Sequence, residues 1–169
     1  MPCDAPEVEP IWRDLEAAAR PTYFLTWGWI ETWLAMLPAE ARPQLAVVRQ
    51  GARVVAACFL GHQRQLRHGV LPTRVHHLNS TGIPQLDDLC VEHNSMLCVP
   101  GISWPLRTLI EGLPADWDEI ELPAIDATPL APPAAYQVTI DREVSAPYID
   151  LARVRAAGDY LSLLGANTR

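Results

Sequence analysis

The residues best suited to acid–base chemistry lie together near the middle of the chain: Asp87, Asp88, Glu92 and His93. They follow the stretch NSTGIPQL, a loop bearing glycine and proline at the end of an expected strand, and sites are often built on such loops. Carboxylates beside an imidazole can hold and pass protons near neutral pH, because histidine titrates there without help from its surroundings. The competing reading is that these side chains cap turns and face solvent, and it carries more weight. Two thiols lie close by, Cys90 within the cluster and Cys98 just after it. A Cys–His hydrolase would need a thiol at a helix N-terminus or on a strained elbow, where its pKa falls or its sulfur is exposed. Both cysteines sit instead in apolar runs, where burial is the default.

A metal centre is the second chemistry to weigh. Cys90 and His93 could form half of a zinc site, with His76 or His77 in the other half. Zinc needs three or four converging nitrogen or sulfur ligands, and adjacent strand residues point to opposite faces. His76 and His77 therefore cannot both ligate from one side, and no metal ligand is assigned. The zinc-dependent hydrolase remains the weakest alternative. The chain has no G-x-S-x-G, no Walker loop and no G-x-G-x-x-G.

Charge narrows the choice of partners. The formal net charge is −7, and all 13 basic residues are arginine. An acidic chain lacks the basic footprint of a general nucleic-acid binder. The distribution is uneven. Between Glu40 and Asp87 there is no acid, yet Arg42, Arg49, Arg53, Arg64, Arg67 and Arg74 lie there with four histidines. Such a face could receive an anionic ligand or an acidic partner, although solvated strand ends are the simpler reading. The start, MPCDAPEVEP, has no basic n-region before an apolar run. The longest apolar stretch, VVAACFL, falls short of the ~20 residues of a membrane span. The expectation is a soluble, cytoplasmic protein.

These residues must be positioned by a mixed α/β scaffold. Residues 1–10 read as a loose lead-in, and IWRDLEAAA has helical spacing. A second helix should run through WGWIETWLAML. Thr26 would be its N-cap, its hydroxyl accepting a first-turn N–H, and Pro38 its end. Its tryptophans could form a binding shelf, but indoles at i and i+4 read first as core anchors. LAVVR and RVVAACFL are β-branched strands joined at Gln50-Gly51, the second apolar enough to be covered on both faces. A third strand is expected at Thr73–Leu78, with QLRHGVLPTR as its connector. Ser103 should start a helix that ends at Gly112 or Pro114. DWDEIELPAI alternates as a strand, YQVTIDREVSAPYIDL as one or two more, and RVRAAGDYLSLLGANTR is helical.

In this order FLTWGWIETWLAML, LAVVRQGARVVAACFL, WDEIELPAI and YLSLLGANTR resemble the N-terminal half of a tandem GNAT-superfamily acyltransferase. The branch is the CelD-like one associated with cellulose biosynthesis, related to the Fem-type transferases. The resemblance runs from about Trp12 to Arg169. It implies a GNAT-like mixed, largely antiparallel sheet flanked by helices over residues 11–157, with 158–169 opening a linker helix to a second domain. Tyr160, Leu161, Asn167 and Arg169 match the start of that linker. It further implies an N-acyltransferase moving an acyl group from acetyl-CoA or another acyl-CoA to a small-molecule or saccharide amine. The pyrophosphate loop Q/R-x-x-G-x-G/A is absent from these residues. Cofactor binding is therefore expected in the second domain, with none in this fragment, and the partner is that second domain of the same protein or a homodimer mate. A non-catalytic GNAT-like binding or dimerisation module is the alternative. No catalytic residue carries over from the family.

Overall fold

A computed structural model describes residues 1–88, 91–102, 105–125, 136–145 and 149–164. It resolves into two compact units, Met1–Pro133 and Ala134–Arg169. The first unit holds helices α1 (Val8–Ala19), α2 (Trp27–Met36) and α3 (Pro105–Gly112). It also holds strands β1 (Gln44–Gln50), β2 (Arg53–Arg67), β3 (Leu71–Leu78), β4 (Leu97–Cys98) and β5 (Glu119–Glu121). The sheet runs β1-β2-β3-β5, with β4 also paired to β2. Every pairing is antiparallel except β3 with β5. The class is therefore α/β, with an open, mixed and mostly antiparallel sheet.

β2 is the axis of the unit. Its middle, Val55–Leu60, is buried throughout, as expected of a strand covered on both faces. Phe59 anchors the helical side. The Trp12 ring of α1 stacks on it at 5.0 Å, and Trp33 of α2 meets it edge-on at 6.0 Å. Aromatic pairs of this kind add to what area burial alone contributes. The Trp12 indole N–H donates to the Leu25 carbonyl, so α1 is tied to the turn that leads into α2.

Several local expectations need correction. Residues 1–10 do not stay loose: α1 starts at Val8, which is buried, and the Met1 ammonium donates to the Leu45 carbonyl. Thr26 occupies the N-cap position, but its hydroxyl donates to the Tyr23 carbonyl. The Trp27 N–H is taken instead by the Glu16 carboxylate, reaching over from α1. A negative charge there also suits the positive end of the α2 dipole. The stretch QLRHGVLPTR is not a connector, because β2 continues to Arg67 and β3 begins at Leu71. His68 and Gly69 take positive φ of 52° and 75°, and the Val70 N–H closes the turn on the Arg67 carbonyl. This is the primed hairpin geometry that matches strand twist.

Where β3 parts from β2, side chains replace the ladder. Asn79, at φ 46°, donates its N–H to the Phe59 carbonyl and accepts the Phe59 N–H on Oδ1. Its Nδ2 donates to Asn94 Oδ1 and to the Ser95 carbonyl. Asn94 Nδ2 in turn donates to the carbonyls of Leu78 and Pro123. Both residues are buried, so these amides satisfy backbone groups that would otherwise be stranded.

In the second unit α4 (Leu151–Ala157) is capped by Asp150, whose Oδ1 accepts from the N–H groups of Ala152 and Arg153. Gly158, at φ 74°, ends it in the left-handed geometry of a C-cap. The helix therefore lies before the Tyr160–Leu164 stripe, where only a 3-10 turn forms. Residues 136–145, expected as a strand, carry no ladder; alternation alone does not make a strand without a partner. The expectations at Ser103, Asn167 and Arg169 lie outside the described residues. Among those described, no helix is long and apolar enough to cross a membrane.

Replacing Asn79 with alanine strands two buried groups together, the Phe59 N–H and Asn94 Oδ1. Urea denaturation should show a loss of about 2–4 kcal/mol, the sum of two buried unsatisfied groups. A loss below about 0.5 kcal/mol would mean that the amide carries no such role.

Candidate functional site

Two neighbourhoods in the first unit collect the chemistry. The first is a polar network on the α1–α2 side of the sheet. Because β2 and β3 are antiparallel with Gly61 opposite His77, one face presents Gly61, Gln63, Gln65 and Arg67 together with Thr73, Val75 and His77. β5 brings Glu119 and Glu121 alongside, in register with Val75 and His77. Arg67 reaches across and donates to both carboxylates: Nε and an Nη to Glu119 Oε2, and an Nη to Glu121 Oε1 at 2.6 Å. Glu121 Oε2 lies 3.1 Å from His77 Nδ1. Gln65 Nε2 lies 3.4 Å from His77 Nε2. A neutral ring that donates from Nδ1 and accepts on Nε2 satisfies both contacts.

The loop after β3 closes over this ring. Gln63 Nε2 donates to the Thr81 carbonyl. A Cβ on Gly61 would collide with the Ser80 carbonyl, and one on Gly82 would enter the His77 ring. Both glycines are there because the backbone passes against its neighbour with no space for a side chain. The loop itself is organised by Asp87. Its carboxylate accepts from the Ser80 and Thr81 hydroxyls and from the N–H groups of Thr81 and Gly82. His77 is thus buried, and desolvation pushes its pKa below the ordinary 6.5. The carboxylates of Glu121 and Asp87 pull the other way, and Arg67 adds to the lowering.

The second neighbourhood is a groove of about 440 Å³ between α2 and residues 85–88. Trp29, Trp33, Met36, Leu37 and Leu86 wall it, and Thr32, Gln85 and Asp88 supply its polar groups. Tyr23, Phe24 and Trp29 pack edge-to-face beside it. The Trp29 indole N–H is buried without a hydrogen-bond partner. Of the α2 tryptophans, Trp27 and Trp33 are core residues, while Trp29 is half-exposed.

The four residues singled out for acid–base work are placed in different surroundings. Asp87 turns into the 80–82 loop and acts electrostatically on His77. Asp88 is exposed at the groove. Glu92 and His93 are exposed on the turn before Asn94, with His93 at φ 51°. Among the described residues no three His, Cys, Asp or Glu side chains converge as a metal centre would need. Cys90 lies outside the described residues. The Cys98 thiol is pushed upward by burial, away from the thiolate a nucleophile requires.

Three of the arginines in the acid-free stretch find internal carboxylates. Arg67 pairs with Glu119 and Glu121, Arg74 with Asp118, and Arg42 with Asp4 at 3.5 Å. The Arg74 guanidinium holds the Asp118 carboxyl down to about 2. Within the stretch, Arg67 and Arg74 are therefore matched by the acids of the β5 strand and the segment before it, and Arg42 by the N-terminal Asp4.

The class that the fold defines is a mixed, mostly antiparallel α/β domain carrying an aromatic groove and a buried histidine held by a half-exposed glutamate. No family model matches the chain, and neither does any curated protein or solved structure.

A His77 pKa depressed on folding makes stability depend on pH with a definite sign. The contribution of neutral His77 is complete above the ordinary histidine value and is lost as pH falls through the depressed one. Melting temperature measured with a chelator present should fall between about pH 7.5 and 5, and fall less steeply in His77→Gln. His76, whose pKa is also lowered by burial, accounts for slope that remains. Identical slopes in the two proteins would remove His77 from this role.

Proposed function

We propose that this domain binds an amine acceptor for an N-acyltransferase of the GNAT type, and that a second GNAT-like domain holds the acyl-CoA. The observation that carries the binding reading is the groove beside α2. Binding sites are concave and mostly apolar, with a few polar groups that fix orientation. Here indole, thioether and leucine walls meet the single carboxylate of Asp88. An ammonium on an apolar body suits that combination. The body displaces water from the walls while the cation pairs with Asp88 or lies over an indole face.

In the transfer itself the amine must first lose a proton. Its nitrogen then bonds to the acyl carbon, the C–S bond breaks, and coenzyme A leaves as the thiol. An acyl-CoA donor puts the reaction in the cytoplasm. The other reading is a binding or dimerisation module with no part in acyl transfer. It is favoured by the engagement of both His77 ring nitrogens, which leaves that buried base without a free lone pair.

Tryptophan emission and thermal shift test the proposal. Hexylamine and glucosamine should perturb Trp29 emission and raise the melting temperature, as any ligand of the folded state alone must. Trp29→Ala should abolish the effect. Asp88→Asn should weaken it by about two- to fivefold, the scale of an exposed ion pair. Absence of amine binding would defeat the groove reading. A shift produced by coenzyme A alone would put the cofactor site in this chain and reverse the division of labour.

A further inference from the structure

The opposite face of the β2–β3 hairpin carries a histidine pair that the groove and the His77 network leave unused. His62 and His76 are directly cross-strand, one pair along from Gly61 and His77. Directly opposed side chains on antiparallel strands spring from Cβ atoms about 4.5–5.5 Å apart. The two imidazole centroids lie 5.0 Å apart, with the rings tilted by 56°. His76 Nδ1 is buried and makes no hydrogen bond of good geometry, its backbone contact to Gly61 being a marginal one. A poorly satisfied buried ring nitrogen beside a second imidazole calls for an explanation.

We propose that His62 and His76 form an open, two-imidazole site for a divalent transition metal of the Ni(II), Cu(II) or Zn(II) class. The spacing fits. An imidazole nitrogen binds such a metal at about 2.0–2.1 Å, so the metal stands ~3.2 Å from the ring centroid, and bond angles between 90° and tetrahedral separate two bound centroids by ~4.5–5.2 Å. The observed separation falls in that range. The rings need only turn about χ2, a broad torsion for histidine, while the strands hold both Cβ atoms in place. His62 is exposed, which leaves an entry path and coordination positions for water or an incoming ligand.

The surroundings bear on the ion's charge. Arg74, in the neighbouring cross-strand pair, is neutralised by Asp118 at 3.0 Å, whereas its partner Arg64 opposes a cation. Asp116 acts on His76 from the segment before β5. Imidazole ligands select the nickel, copper and zinc group over magnesium or calcium. Two protein ligands make the site weaker than a closed structural zinc centre, and exchangeable.

Calorimetric titration of Ni(II) into the untagged full chain tests the assignment, with paramagnetic broadening of amide signals to locate the ion. The expected result is one site of about micromolar to tens-of-micromolar affinity, with broadening centred on residues 61–63 and 75–77. His62→Ala and His76→Ala should each weaken binding at least tenfold. His68→Ala, on the hairpin turn, should leave it unchanged. Unchanged melting temperatures in metal-free buffer would show that the variants fold. Binding that survives both substitutions, broadening centred on the Met1 amine or Cys3, or no heat up to millimolar Ni(II) would each overturn the proposal.

Discussion

Everything in the first unit depends on how β2 is kept satisfied after β3 turns away from it. A buried strand cannot leave its N–H and carbonyl groups open, because stranding them costs more than most single packing contacts contribute. Asn79 solves this by acting as one further strand residue. Its backbone N–H and side-chain oxygen make the two bonds to Phe59 that a regular partner would make. Its amide nitrogen then passes the connection to Asn94 and Ser95, and Asn94 carries it to Leu78 and Pro123. Two buried amides thereby join the end of β3, the approach to β4 and the residues after β5.

The polar network stands on that frame. β5 is only three residues long and pairs with β3 alone. Arg67 strengthens the attachment by spanning from β2 to Glu119 and Glu121. Glu121 then fixes the His77 ring from one side and Gln65 meets it from the other. Gly61 and Gly82 let the 80–82 loop lie directly against the ring. His77 is consequently a settled, buried histidine, whereas His76, one residue away, faces the other side with a nitrogen that makes no hydrogen bond of good geometry. The difference is the period-two geometry of a strand acting on two consecutive residues of the same type.

Parts of this were legible in the chain itself. The β1–β2 hairpin announced itself through β-branched runs around Gln50-Gly51, and the central position of VVAACFL followed from its lack of polar residues. The separation of His76 from His77 followed from strand geometry. The extension of β2 to Arg67 did not, since HQRQLRHG alternates weakly and its positive-φ turn contains a histidine rather than two glycine or asparagine residues. Glu16 as the cap of α2 was out of reach because it lies 11 residues from Trp27 and works only once α1 is docked. The partners of Arg67 were hidden for the same reason: they lie 52 and 54 positions further along the chain.

The sequence by itself determined which segments are apolar, where α1 and α2 end, and that His76 and His77 sit on a strand. Those properties are local, set by side-chain chemistry and a backbone period of 2 or 3.6 residues. Only the tertiary structure decided the register that sets His62 against His76, the loop that seals His77, and the groove between α2 and residues 85–88. Each depends on groups far apart in the chain meeting at distances of a few ångströms. No pattern within a short window records such a meeting. It is chosen by whichever packing leaves the fewest buried polar groups unpaired while covering both faces of β2.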